Sequence, residues 1–507
     1  VRDSKWLYIF IFFIFFLLRI WGLHFGLPFE GIHPTEYFSI SQSLQYLTTG
    51  NLKPLDFQHP TLFQYLISFI SRVIFLPARD CLYFYLLARF ISCLASFFSV
   101  YFLYRLTKEL LNSNALGLLG AGFLGFNLLS VKYAHYATPD SLSLLFLVLT
   151  IIFSFKILKM PRLKNYLLCA LFCGLSTGSK FSGLMSAGFL FCAHLSFFKD
   201  KKQFSHLKLI LALLIVILTF LVTSPYHLLY LKEALQDGGN YLVQKGYFEH
   251  GSIKARGFFI YPFILLPDTF GFWGLVFATL GLGIMFLQDK RKTALLFIPT
   301  FIYFLIIGAE RGGTLQNLLP ILPILSLFAS QFFLSLKERG IKKLYIVSLV
   351  ALVLLPNSVK TLIFDYYILK PDTRLLAQQW LMQNVKGNAK IGFERYSPFD
   401  LNYIGKSPVK ERFNSTYFVP SLSIYPASFY KNEGYDYIIT SNFREDSYAF
   451  FCRTERACQP IENYSSYAAQ LQLAAVFATP LVFKLTGVSL PWGTWPHQPT
   501  IKIYKVK

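Results

Sequence analysis

Lysine and arginine fall in every second loop between apolar runs, and this alternation constrains the chain more than any motif in it. The runs lie at 6–22, 82–106, 114–131, 141–158, 166–179, 181–198, 209–224, 261–287, 293–309, 317–336 and 344–361. About twenty such residues cross the hydrocarbon core of a bilayer as a helix. The chain therefore reads as an α-helical polytopic membrane protein with about eleven transmembrane helices. Several runs are short, which tilt or partial insertion accommodates. Basic residues cluster at Lys156, Lys159, Arg162 and Lys164, at Lys199, Lys201, Lys202 and Lys208, at Lys290, Arg291 and Lys292, and at Lys337, Arg339, Lys342 and Lys343. These loops are expected to be cytoplasmic, as is the N-terminus. The segments 22–81, 132–140, 225–260 and 310–316 are poorer in basic residues and face the other side, and an odd number of spans puts the tail there too. The run from Trp6 to Gly22 follows Arg2 and Lys5 but has no small-residue cleavage site before Trp21, so it reads as a retained anchor.

Composition agrees with that class and removes others. A chain of 507 residues that is 54% hydrophobic and 15% charged, with 55 Phe, does not stay monomeric in water. Its net charge of +22 would suggest a nucleic-acid partner in a soluble protein, yet the charge sits in short loops beside apolar spans, so no nucleic acid is expected. Cys81, Cys93, Cys169, Cys173 and Cys192 lie in or beside apolar runs and lack a second ligand pair at zinc spacing. No ligand spacing demands a metal, and the sequence requires no cofactor. Cys452 and Cys458 differ, because they fall in a polar tail placed outside the cytoplasm, where a disulfide between them would persist.

Two domains are expected: 1–361, the membrane domain with its long first outer loop 22–81, and 362–507, an extracytoplasmic α/β domain. Pro371, Pro398, Pro408, Pro420 and Pro426 punctuate the second. Asp372 suits the N-cap of a helix over 373–386 with Leu376, Trp380 and Val385 as its apolar stripe, and Gly387 stops it. "AKIGFER", "YDYIITS" and "TIKIYKV" have the β-branched and aromatic content of strands. Asn414 and Asn463 open N-glycosylation triplets.

Ionisable residues at membrane depth, or in loops packed on it, are functional hypotheses by default. The first outer loop carries His33, Glu36, Asp56 and His59 around two stretches read as amphipathic helices on the outer face. "YAHYATPDSLSLL" brings His135 and Asp140 just before a span, although Asp140 also stands where an N-cap belongs. "STGSKFSG" sets Lys180 between two apolar runs, where a snorkelling lysine is the plainer reading. "KGYFEHGSIKARGFF" adds Glu249, His250, Lys254 and Arg256. A carboxylate can take a proton from an attacking hydroxyl while Lys or Arg neutralises a phosphate leaving group. The cytoplasmic loops are too short for a nucleotide-binding domain and no P-loop occurs, so an activated donor would arrive through the membrane as a lipid phosphate.

The order of a first span, a long loop with "HPTE", then "HYATPD", "GSKFSG", "SPYHLL", "LLPILPIL" and a tail opening "PDTRLLAQQW" resembles the GT-C membrane glycosyltransferases. Within them it looks most like the protein mannosyltransferase and aminoarabinose transferase branch. That resemblance implies inverting transfer of a sugar from a polyprenyl phosphate to an acceptor hydroxyl of a glycan, lipid or protein, with an outer-loop carboxylate as general base. It makes Asp140 the preferred catalytic residue, with Glu36 second. His59, Lys180 and Arg256, with His250, His33 and His135, would meet the lipid phosphate or substrate. The family's usual first-loop Asp-Glu pair is Thr35-Glu36 here, its "RYLLP" is "LQNLLP", and the oligosaccharyltransferase signature "WWDYG" is missing, which argues against en bloc oligosaccharide transfer. Two rival readings share the topology. A lipid or solute transporter commonly shows two related halves, and none are detectable here. An inactive GT-C-like scaffold of envelope assembly would account for Thr35.

Overall fold

The computed structural model describes residues 5–30, 32–75, 81–198, 205–244, 257–310, 314–400, 404, 407–413, 415–419, 425–442, 470–478 and 499–506. They form two compact units, one of residues 1–23 with 39–362 and one of residues 24–38 with 363–507.

In the first unit every apolar run is helical over most of its length. Among the described residues of the chain, six helices are long and apolar enough to cross a membrane, or up to eight if each of two bent pairs is one span. The apolar runs 114–131 and 261–287 are the two that bend. Asn114–Gly125 and Leu128–Ala134 meet at 64°, where Asn127 leaves the helix and its side chain caps the next one through Ser130 N. Gly257–Phe270 and Phe272–Gln288 meet at 107° on Gly271, whose φ of +85° suits glycine. The Asp140–Lys159 helix packs against Leu163–Ser179 and Cys81–Leu111, and Met185–Leu195 packs against Lys290–Gly308. The two stretches of the first loop are helices, Pro34–Thr49 and Leu62–Val73.

Small residues set how near these helices come. A Cβ on Gly281 would lie only 1.8 Å from the carbonyl oxygen of Phe328 in the facing Leu322–Glu338 helix. Gly281→Ala must therefore push two backbones apart. It is expected to cost about 1–3 kcal/mol, read as a lower thermal midpoint in detergent.

Arg19 is a further organising residue. It is fully buried in the Lys5–Ile20 helix, where its Nε donates to Ser96 Oγ at 2.8 Å and its Nη atoms to Ser130 Oγ and to the carbonyls of Phe15, Gly125 and Leu124 at 2.9–3.2 Å. Gly125 and Leu124 end their helix at the first bend, so the guanidinium meets the carbonyls of a last turn, with Leu124 O also accepting from Asn127 N at 3.3 Å.

In the second unit a five-stranded sheet is built from β1 (Ile391–Phe393), β2 (Thr416–Phe418), β3 (Tyr437–Ser441), β4 (Gln472–Phe477) and β5 (Ile501–Lys505), in the order β2-β1-β3-β5-β4. β1 pairs parallel with β2 and β3, while β5 runs antiparallel to β3 and β4. Alternation divides two cores: Ile439, Ile501 and Ile503 point to one face, Ile438 and Tyr504 to the other. Asp372 caps the helix Thr373–Asn384 through Arg374 N at 2.9 Å, and also holds the buried Arg374 guanidinium at 2.7 and 2.5 Å. The buried stripe is Ala377, Leu381 and Val385 with Trp380 at its edge, whereas Leu376 is exposed. Ala377 and Leu381 lie one helical turn apart, a register that the expected stripe missed.

Candidate functional site

Two polar breaks in apolar helices come together in the first unit. The turn before Asp140 is fixed by backbone acceptors: Ser92 Oγ donates to Thr138 O and Ser141 Oγ to Tyr133 O, each at 3.1 Å. His135 braces the same turn, with Nδ1 2.8 Å from Val131 O and Nε2 2.8 Å from Trp21 O. The Leu163–Ser179 helix stops at Lys180, which is extended, and a 3-10 turn Phe181–Leu184 follows. A Cβ on Gly183 would lie 2.3 Å from Ser176 O, so glycine lets the chain fold back on its own helix. Ser143 and Ser176 each donate to the other's carbonyl, at 3.1 and 2.9 Å, and stitch the two helices together one turn from the breaks.

The result is an ion pair. Lys180 Nζ lies 2.5 Å from Asp140 Oδ1, with side chains 11% and 3% exposed. Asp140 Oδ2 is buried and has no hydrogen-bond partner among the described residues. Asp140 opens its helix without capping it from the N-cap position, which Pro139 occupies. Lys180 points inward to a carboxylate instead of snorkelling to an interface. A buried pair with one carboxylate oxygen unbonded is costly to fold, which is the usual mark of a functional group.

Lys180 also stands at the polar end of a cavity of about 470 Å³. Its apolar length runs between Phe181, Leu184, Met185 and Gly188 on one side and Pro299, Ile302, Ile306 and Ile307 on the other. A Cβ on Gly188 would meet Pro299 Cβ at 2.8 Å, so its absence lets these helices close the floor. Leu184 and Ile306 are more than half exposed at the rim. The polar end carries Gln58, His59, Lys180, Tyr303, Glu310 and Asn317.

His59 reaches that end because its loop is tied to the segment after the His206–Thr223 helix. Thr61 N donates to Ser224 Oγ at 3.0 Å, Thr61 Oγ1 to Thr223 O at 2.8 Å, and Phe57 N to Asp237 Oδ2 at 3.0 Å. Lys53 pairs with Glu233 at 3.0 Å over the Tyr230 ring. Burial raises the pKa of Asp56, opposed by its bond from Gln58 N and reinforced by Asp237 nearby. His227, from "SPYHLL", is wedged among the edges of Phe57, Phe181 and Phe220, and burial lowers its pKa.

Glu310 and Tyr261 were not singled out in the sequence. Tyr261 sits in a π-helical turn, Tyr261–Leu265, and its hydroxyl donates to Glu310 Oε2 at 2.9 Å while accepting from Thr314 N and Asn317 Nδ2 at 2.9 and 3.1 Å. Asn317 Nδ2 also donates to Glu310 Oε1 at 2.8 Å. The only sequence signal was an acid just after an apolar run.

Of the residues chosen from sequence, Asp140, Lys180 and His59 share this part of the first unit. His135 has its ring nitrogens 2.8 Å from the carbonyls of Val131 and Trp21, which braces the turn before Asp140. Glu36 and His33 belong to the second unit, where both are buried and His33 Nδ1 accepts from Thr35 N at the start of the Pro34–Thr49 helix. His250 and Arg256, like Cys452 and Cys458, lie outside the described residues. Among the described residues no three His, Cys, Asp or Glu side chains gather as a metal site.

Residues 58–227 match the family described as dolichyl-phosphate-mannose-protein mannosyltransferase. No curated protein matches the sequence. Among solved structures, the chain is similar to the oligosaccharyltransferase AglB of Archaeoglobus fulgidus, in complex with an inhibitory peptide and a dolichol-phosphate, at 10% identity and TM-score 0.53, over 94% of this chain and 74% of that one. It is also similar to ArnT of Cupriavidus metallidurans in the apo state, at 12% identity and TM-score 0.52, over 99% of this chain and 98% of that one. The same enzyme bound to undecaprenyl phosphate aligns over the same shares at 13% identity and TM-score 0.50. At such identities the likeness is one of fold.

Proposed function

From the premise that this chain is a membrane protein with the GT-C glycosyltransferase fold, we propose that it transfers a sugar from a polyprenyl phosphate to an acceptor hydroxyl on the non-cytoplasmic side of a membrane. The observation that carries this reading is the cavity itself. An apolar trough with exposed apolar rims ends at Lys180 and His59, and Asp140 stands behind Lys180 with one oxygen unbonded. A lipid phosphate has that same sequence of parts: an apolar tail, then an anion, then the reacting carbon. AglB and ArnT, which share the fold, were each solved with a polyprenyl phosphate.

In this reading the acceptor oxygen attacks the anomeric carbon and forms the new glycosidic bond. The bond from that carbon to the phosphate oxygen breaks, its electron pair stays on the phosphate, and Lys180 with His59 stabilises the added charge. The hydroxyl proton passes to Asp140 Oδ2. A single displacement of this kind inverts the anomeric centre. Asp140 and Lys180 then supply the two charges the reaction needs, a base for the acceptor hydroxyl and a cation for the leaving phosphate. The sugar and the acceptor follow from pocket shape across several helices.

The test is transfer of a labelled sugar from undecaprenyl-phosphate sugars to added acceptors by the purified chain in vesicles. The expected result is a covalent product with inverted anomeric configuration. Movement of lipid or solute across the vesicle without covalent product would replace this reading by transport, and tight carrier binding with no transfer to any acceptor would leave a scaffold.

A further inference from the structure

We propose that Glu310 is the sugar-binding carboxylate of this cavity, taking hydroxyls of the donor's sugar and not its phosphate. The inference rests on the lipid-donor reading above and assigns a subsite within it. A carboxylate 3% exposed beside apolar spans is expensive to keep. It persists here inside a dedicated cradle, with Tyr261 bonded to one oxygen and Asn317 to the other. The Tyr261 hydroxyl is in turn held by Thr314 N and Asn317 Nδ2. A close backbone approach locks the segment that carries Glu310: Gly257 N donates to Glu310 O at 2.9 Å, and a Cβ on Gly257 would lie 2.7 Å from Gly308 O. The π-helical turn, a form frequent at functional sites, places Tyr261 for this task.

Chemistry then divides the polar end of the cavity. Lys180 and His59 suit the phosphate. Glu310, held by Tyr261 and Asn317, offers acceptor oxygens and so suits the hydroxyl-rich part of the donor. A carboxylate only accepts hydrogen bonds, with about four lone-pair positions on two oxygens, and paired sugar hydroxyls are donors of matching spacing. Its role is recognition of the sugar, with Tyr261 and Asn317 as positioning residues. The cavity, at about 470 Å³, is within the roughly 300–1,000 Å³ typical of small-ligand sites.

The experiment measures binding to the full chain in nanodiscs of undecaprenyl phosphate and of its mannosyl, glucosyl and arabinosyl forms, for wild type and Glu310→Gln. We expect the wild type to prefer at least one glycosylated carrier over the bare one. Glu310→Gln should lower that preference about tenfold to a hundredfold with bare-carrier binding unchanged. Equal weakening of bare and glycosylated carriers would make Glu310 a structural or phosphate-facing group and overturn the proposal, as would a preference that survives the substitution. If Glu310→Gln does not fold, Asn317→Ser leaves the carboxylate and removes a bond that fixes it; loss of sugar preference then supports the proposal and its retention refutes it. A wild-type chain that binds no carrier at all removes the lipid-donor reading itself, an outcome distinct from the others.

Discussion

Neutralising either member of the Asp140–Lys180 pair is expected to lower sugar transfer by about two to four orders of magnitude, while neutralising both restores stability but not activity. The first half follows from the roles proposed. Losing a positioned base costs roughly 10²–10⁴ in rate, and losing a cation that meets the leaving group about 10²–10³. The second half follows from burial. With the side chains 3% and 11% exposed and 2.5 Å apart, Lys180→Gln leaves a carboxylate charge without its counter-ion, at about 3–5 kcal/mol. Asp140→Asn strands the ammonium in the same way. Asp140→Asn with Lys180→Gln removes both charges and keeps side chains that can hydrogen-bond to each other, so most of that loss is recovered. Transfer assays on the three variants, beside thermal midpoints in detergent, separate the roles. If activity returns together with stability in the double variant, the pair is a structural brace and the catalytic assignment fails. Undiminished turnover in Asp140→Asn would refute it more directly.

How much of this was legible in the sequence differs between elements for physical reasons. Helices announce themselves by period, and three of the five strands, "IGF", "YIITS" and "IKIYK", were marked by β-branched and aromatic content, whereas Thr416–Phe418 and Gln472–Phe477 were not singled out. Asp140 and Lys180 stood out because charges beside apolar runs are rare, although nothing in a 40-residue separation predicts that they touch. The bends were less visible. Gly271 and Asn127 break helices within runs apolar enough to read as continuous, since glycine and a lone asparagine barely lower hydropathy. Tyr261 and Glu310 were hidden further, because their bond joins residues 49 apart and the tyrosine lies inside an apolar run. Exposed apolar faces mislead in the opposite direction: Leu376 looked like core by spacing, yet the apolar side chains buried in that stretch are Ala377, Leu381 and Val385, with Arg374 and Gln378 buried beside them.

Arg19 is where that blindness matters most for stability. In sequence it is one charge near the end of an apolar anchor, where snorkelling would carry it to an interface. In the fold it is fully buried and donates to two serines and three carbonyls. Two of those carbonyls, on Leu124 and Gly125, belong to the last turn before the 64° bend, where Leu124 O has a further donor in Asn127 N at 3.3 Å. Arg19→Met keeps the bulk and removes every donor. Each acceptor left buried and unpaired costs about 1–3 kcal/mol, and Ser96 and Ser130, already 3.5 Å apart, can turn to each other. With Leu124 O keeping Asn127 N and Phe15 O lying within its own helix, Gly125 O is the acceptor most exposed to the loss, and the expected cost is about 1–3 kcal/mol. Lysine has three donors on one flexible point and cannot span acceptors on two helices and a bend, so Arg19→Lys should fall between. The damage should also reach chemistry. The bend sets where Leu128–Ala134 begins, and that helix ends at the His135 turn leading into Asp140. Hydrogen exchange is expected to quicken over 124–131 in Arg19→Met, with transfer falling in parallel. A stability change under about 1 kcal/mol would mean that the bend closes without the guanidinium, and that Arg19 follows this architecture instead of making it.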